Sequence, residues 1–292
     1  MTFMWILLAV LSAFFAGVTG ILAKCGIRKT DSTVATAIRT GIVLIMSIII
    51  VFITGSISEL SVISTRTWVF LVLSGIATGA SWLCYFKALS LGDINKVTPV
   101  DKSSTVLTVI FAFIFLKEEF TRIKGVSVLL IAIGTYLMLD RKRKTVSDKP
   151  SGCRPWLFFA VLSAVFAALT SILGKIGNDG VSSELGTAIR TFVVLIMSWL
   201  VVFVTGKREI VRQTPKNELG FIVLSGIATG ASWLCYYKAL KLGSASVVAP
   251  IDKMSILVTI AFSRIVFKEK LNIKTAFGLL LTVSGTLGML IK

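Results

Sequence analysis

Among the charged residues inside otherwise apolar stretches of this chain, eight stand at positions repeated in its two halves: Arg39, Lys87, Asp101 and Lys102, then Arg190, Lys238, Asp252 and Lys253. An ionised side chain at the centre of a membrane helix costs roughly 2.5 to 3.5 kcal/mol on insertion scales, so such residues are expected to face a cavity or one another. Six are basic and two acidic, a balance that suits a ligand bearing carboxylate or phosphate. Each also has a bland reading. Lys87 and Lys238 could snorkel to the headgroups, Arg39 could reach the interface with its long stem, and Asp101 could be an acid favoured at a helix start. Lys102 points about 100° away from Asp101 around a helix, so only one of that pair need face a cavity.

Around these charges lie residues fit to line a cavity: Ser81, Trp82 and Tyr85, and again Ser232, Trp233 and Tyr236. Packing against lipid would use the same aromatic rings. Gly75 and Gly79, with Gly226 and Gly230, offer small faces for close helix packing. The chain has no histidine, no carboxylate pair at catalytic spacing and no nucleotide loop, so acid-base catalysis has no evident agent and no enzyme is expected. Of the four cysteines, Cys84 and Cys235 sit within apolar runs, while Cys25 and Cys153 stand alone. No metal or disulfide spacing appears, and no cofactor is implied.

The elements that must hold these residues are membrane helices. Hydrophobic residues make up 55% of the chain, charged residues 15%, and the mean hydropathy is +0.90, far more apolar surface than a soluble protein of 292 residues could cover. Continuous runs near 20 residues mark spans at 5–23, 33–54, 68–91, 97–116 and 125–139, then 156–174, 184–205, 219–242, 247–267 and 276–291. They lack the alternation of a barrel strand, so the expected fold is an all-α integral membrane protein of ten helices. A signal-peptide reading of the first run fails because no basic region precedes it and its copy at Trp156 lies mid-chain. The five prolines fall at or near span boundaries, so unbroken helices are expected, with Pro99 and Pro250 opening the fourth and ninth.

The second half of the chain repeats the first. Residues Leu73 to Tyr85, LSGIATGASWLCY, return letter for letter at Leu224 to Tyr236, and TAIRT at Thr36 returns at Thr187. The chain thus divides into a first five-helix repeat over 1–141, a basic linker over 142–155 and a second repeat over 156–292. After five crossings the chain re-enters from the opposite face, so the second repeat is expected upside down, as in the inverted repeats of secondary transporters. Glu118 and Glu269, at the ends of the fourth and ninth spans, are read as loop residues that inversion brings within reach of the other repeat's cluster.

Basic residues present in both repeats cancel under this inversion, and only the unpaired ones set orientation. Fifteen lie on the face of the linker, from Arg28 to Lys274, against five on the other: Arg66, Arg122, Lys124, Lys241 and Lys292. By the positive-inside rule the linker is cytoplasmic and both termini are outside. That bias accounts for most of the net charge of +17, and a nucleic-acid partner is not expected from basic residues confined to short loops.

The tracts CYFKALSLG and CYYKALKLG, each leading to a proline that opens the next span, together with the KE that ends that span, resemble the EamA domain of the drug/metabolite transporter superfamily. The resemblance covers nearly the whole chain as two tandem domains, and it implies a central path lined by the third, fourth, eighth and ninth helices. It implies no particular substrate. Small multidrug exporters of that superfamily use a carboxylate in the first helix, which the first and sixth spans here lack. The expectation is a secondary transporter in a bacterial plasma membrane. It would carry a small anionic or zwitterionic metabolite by alternating access, as a monomer whose partners are substrate and bilayer. A lipid-carrier flippase is the nearest alternative, and a cationic drug exporter the more distant one.

Overall fold

A computed structural model describes residues 4–26, 30–91, 97, 100–138, 155–266 and 273–291. Among these residues every regular element is helical. The helices are α1 (Met4–Gly26), α2 (Ser32–Ile53), α3 (Thr65–Leu91), α4 (Ser104–Phe115), α5 (Arg122–Leu137), α6 (Pro155–Gly177), α7 (Ser183–Val204), α8 (Lys216–Leu242), α9 (Ala245–Lys253), α10 (Ser255–Val266) and α11 (Ile273–Gly288). Seven stretches of the described residues are long and apolar enough to cross a membrane, one of them formed by α9 running into α10. The α4, α5 and α11 helices are shorter, at 12, 16 and 16 residues. Most of the linker, Glu269, Pro99 and the charged positions Lys96 and Lys292 lie outside the described residues.

Local sequence accounts for where these helices begin and end. Asp31 caps α2 by accepting the amide of Thr33, and Thr121 caps α5 by accepting that of Lys124. The ends of α2 and α7 match: Thr54 and Thr205 each turn a hydroxyl back to a carbonyl four residues earlier, and Gly55 and Gly206 follow in the left-handed region at φ of 70° and 69°. Hydroxyls inside the spans are treated the same way, as when Thr40 bonds Thr36 O and Thr191 bonds Thr187 O, so they meet no unmet polar group in hydrocarbon.

The packing inverts the soluble pattern. Large apolar side chains such as Ile49, Phe52, Phe158, Val204 and Leu280 point outward, while the helix contacts are built from Ala, Gly, Ser and Thr. The main helix contacts between repeats come in matched pairs: α1 packs on α8 and α3 on α6, α2 meets α8 and α3 meets α7, α1 meets α10 and α4 meets α6. Two pairs are their own counterparts: α2 with α7, and α5 with α11. Glycines permit these approaches at matched positions. A methyl at Gly75 would stand 2.6 Å from Val193, and one at Gly226 would stand 2.7 Å from Ile42.

The ninth span departs from expectation. Pro250 lies inside α9 rather than at its start, and the helix stops three residues later. Met254 N reaches back only to Ile251 O at 2.9 Å, a tighter turn than the α-helical ladder, before α10 begins at Ser255. The first repeat breaks at the equivalent residue, Ser103, whose amide and hydroxyl both bond Val100 O. Both breaks directly follow an Asp-Lys pair. The fourth and ninth spans are therefore discontinuous at the residues singled out for their charge.

Candidate functional site

α7 carries Arg190 two turns from its start, on the face that meets α3 and α8. The residue is 1% exposed. Its Nη2 donates to Thr78 Oγ1 at 3.0 Å and its Nε to Ser74 Oγ at 3.4 Å. The guanidinium lies 4.2 Å from the ring centre of Tyr237 and 5.0 Å from that of Trp233. Hydroxyls and aromatic faces thus stand where a carboxylate would be expected, and Nη1 is buried with no hydrogen-bond partner among the described residues. A desolvated cation without a counter-ion is costly, and a bound anion would relieve that cost.

Arg190 opens onto a cavity of about 250 Å³. Its walls are Ala16 of α1, Thr78, Ser81 and Trp82 of α3, Ala167, Thr170 and Ser171 of α6, Ser232, Trp233, Tyr236 and Tyr237 of α8, and Asp252 and Lys253 of α9. The volume falls just below the roughly 300–1,000 Å³ of drug-sized pockets. Tyr236 donates to or accepts from Ser171 at 2.9 Å, joining α8 to α6 across the cavity.

The two aspartates occupy matched hydroxyl networks. Asp252 accepts from Ser12 at 2.6 Å, and Ser12 lies 3.2 Å from Ser232, which itself donates to Ser12 O at 3.0 Å. Asp101 accepts from Ser163 at 2.9 Å, and Ser163 lies 3.3 Å from Ser81, which donates to Ser163 O at 3.0 Å. The partner of Asp101 is therefore a serine of the opposite repeat, and not Arg39 or Lys87 of its own cluster.

The expected site residues consequently divide. Arg190, Asp252, Lys253, Ser81, Trp82, Ser232, Trp233 and Tyr236 meet around one cavity. Lys102 is exposed and lies within electrostatic reach of Lys253 across the pseudo-symmetric contact of the fourth and ninth spans. Lys238 instead pairs with Glu184 at 2.7 Å, Lys87 is exposed, and Tyr85 packs against the cluster of Ala88, Val97 and Ala160. Arg39 is half-buried and does not line the cavity, nor does Asp101. Of the four helices that the resemblance pointed to, the third, eighth and ninth supply walls of this cavity, together with the first, sixth and seventh.

Sequence reasoning passed over Tyr237, Ser12 and Ser163. The first was detectable as the place where CYYKALKLG departs from CYFKALSLG, a hydroxyl added to one repeat alone. The serines recur at matched positions of α1 and α6, yet a lone serine in an apolar run gives no warning that an aspartate from the other repeat will meet it.

Ion pairs and caps join the loops of the two repeats in two separate groups. In one, Asp31 pairs with Lys207 at 2.7 Å, and Glu218 accepts the amide and hydroxyl of Thr30. In the other, Glu118 pairs with Lys175 at 3.3 Å and accepts the amides of Ala245 and Ser246 at the start of α9, while Glu59 accepts the amide of Ser182. Burial alone would push Glu118 up, but the Ser246 hydroxyl, the Lys175 ammonium and the two amides outweigh it and hold the carboxyl below its usual range. Asp31 is likewise held low, its burial outweighed by Lys207 and the Thr33 amide.

The EamA-like transporter family model matches residues 3–140 and again 154–291. An uncharacterized transporter from the cobO 3' region of Sinorhizobium sp is 46% identical over 134 residues, which are 46% of this chain and 95% of that protein. Human solute carrier family 35 member G1 is 26% identical over 77% of this chain, which spans 62% of the human protein. An uncharacterized transporter of Clostridium kluyveri is 22% identical over 74% of this chain and 73% of its own. A protein crystal structure superposes with a TM-score of 0.74 at 17% identity, covering 96% of this chain and 94% of the other. The chain belongs to the EamA-like transporter family and is a multi-pass membrane protein.

Proposed function

We propose that this member of the family is a secondary transporter that moves a small anionic or zwitterionic metabolite across a bacterial plasma membrane by alternating access, with its site at the Arg190 cavity. The observation that carries the reading is Arg190 Nη1, buried, unpartnered and beside a cavity that also holds Lys253 and Asp252. At about 4 Å and an effective dielectric near 20, an anion there gains about 4 kcal/mol of Coulomb energy before its own desolvation is counted. Aromatic walls would hold the apolar part of such a solute, and Asp252 a cationic part if it has one.

Ten spans in two inverted repeats complete the proposal, acting as a monomer without cofactor. The separation of loop contacts into two groups supports it, because inversion places 30–31, 207 and 218 on the linker face and 59, 118, 175, 182 and 245 on the other. Alternating access would then exchange the Arg190 side for the Arg39 side.

The experiment is thermal unfolding of purified protein across a panel of carboxylates, phosphates and amino-bearing metabolites. A ligand at 100 times its dissociation constant adds about 2.7 kcal/mol of stability. Stabilisation by anions or zwitterions that Arg190→Gln removes supports the reading. Stabilisation by cations alone, or none that depends on Arg190, refutes it.

A further inference from the structure

We propose that Asp101 and Asp252, each with its pair of serines, are the proton-binding sites that energise transport. The proposal rests on the transporter reading above and names its coupling ion. Three described carboxylates that join helix ends, Asp31, Glu118 and Glu184, are ion-paired with lysines. Asp101 and Asp252 are held differently. Each accepts from a serine hydroxyl, a partner that can either donate or accept.

That difference decides what protonation does. With Asp252 ionised, Ser12 donates to the carboxylate and Ser232 donates to Ser12 O. When a proton from water adds to the carboxylate, the new O–H can donate to Ser12 Oγ. Ser12 then turns its own hydrogen to Ser232 Oγ, 3.2 Å away, and Ser232 keeps its bond to Ser12 O. Both hydroxyls of the network keep an acceptor in either state. Asp101, Ser163 and Ser81 repeat the arrangement with a hydroxyl separation of 3.3 Å. An ion-paired carboxylate has no such freedom, because protonation abandons its lysine.

Position suits the role. Both aspartates lie just before the breaks at Ser103 and Met254, where the helix ladder is already interrupted, and each bonds a helix of the opposite repeat. Asp252 lines the cavity beside Arg190, where the solute is proposed to bind. The charged and titratable groups facing Asp252 are Arg190 of α7, Tyr236 and Tyr237 of α8, Lys253 of α9 and, beyond Lys253, Lys102; α1 and α6 offer Ser12 and Ser171. Asp101 faces Ser163 of α6, Ser81 of α3 and its neighbour Lys102, with Lys253 opposite. An anion at Arg190 brings negative charge into the cavity that Asp252 lines, and a proton on Asp252 removes a like charge from it. Anion and proton therefore favour one another and travel together.

Infrared difference spectroscopy on the full chain in nanodiscs, taken from about pH 9 to about pH 4, reads the carbonyl band of protonated carboxyl groups without any substrate. We expect one band that is absent in Asp252→Asn and returns with a displaced midpoint in Asp252→Glu, and a second that is absent in Asp101→Asn. Ser12→Ala and Ser232→Ala keep the aspartate and should shift its midpoint, which covers the case in which the Asn variant does not fold. Asp252 ionised across the whole range, or a midpoint indifferent to both serines, overturns the proposal. So does a thermal shift specific to sodium over potassium that Asp252→Asn removes, which would assign a sodium site. Because the band needs no ligand, its absence is distinguishable from failure of the metabolite panel.

Discussion

Arg190 and Arg39 begin as equivalent residues in identical TAIRT tracts and end in different surroundings. Arg190 has hydroxyls from α3 and rings from α8 about it and one donor left over, whereas Arg39 is half-buried and away from the cavity. Arg190→Lys keeps the charge but loses the forked donors and the stacking on Tyr237. It should weaken binding of the first anion to emerge from the metabolite panel about tenfold, or about 1.4 kcal/mol, with Arg190→Gln weakening it further. Isothermal titration measures both, and equal loss in Arg39→Gln would mean the cavity is not the anion site. A double-mutant cycle of Ser12→Ala with Asp252→Asn should show coupling of about 0.5–3 kcal/mol in thermal stability, since each removes the other's partner. Additive losses would mean that the 2.6 Å contact contributes nothing.

At the scale of helices, the contacts α2 with α8 and α3 with α7 depend on glycine for their closeness. Gly75→Ala would place its methyl against Val193 and the Arg190 carbonyl, where neither a β-branched side chain nor a backbone can withdraw, and should destabilise by about 1–3 kcal/mol. Gly220→Ala is the control. Nothing lies within 4 Å of a methyl there, so helix propensity alone acts and stability should rise by about 0.5–1 kcal/mol. Thermal unfolding in detergent compares the two. Glu118 ties the end of the fourth span to the start of α9, and Glu118→Gln removes its pairing with Lys175. Because Glu118 is held below the ordinary carboxylate range, its stabilisation is complete above about pH 5 and disappears as pH falls through its lowered folded value. The difference in melting temperature between wild type and Glu118→Gln should therefore stay constant from about pH 8 to about pH 6 and close below about pH 4. A gap that widened on acidification would contradict the sign.

For the whole molecule, the proposed orientation rests on the lysine and arginine bias towards the linker face. With the native cysteines replaced, a cysteine near Lys144 should resist an impermeant thiol reagent in intact cells, and one near Lys292 should react. The reverse pattern would invert the orientation. Alternation between the Arg190 and Arg39 sides gives a second whole-molecule test: cysteines at Ser81 and Ser232 should change accessibility in opposite directions in Arg39→Gln and Arg190→Gln. Changes in the same direction would leave the arginines as structural anchors.

By itself the sequence determined the solvent, the helices and the duplication, because hydrocarbon admits only long apolar segments with internally satisfied backbones and because identical tracts such as LSGIATGASWLCY must fold alike. It also singled out Arg190, Asp252 and Lys253, since charge in an apolar run is costly anywhere. Only the tertiary structure decided partners. Asp101 and Asp252 meet Ser163 and Ser12 across 62 and 240 residues of chain, Lys238 is turned to Glu184, and the ninth span breaks at Met254. Hydropathy and spacing describe one helix at a time, while a hydrogen bond between repeats depends on how two helices rotate and slide as their small residues pack. That rotation brought Arg190 under the ring of Tyr237 and left one of its nitrogens for the cavity.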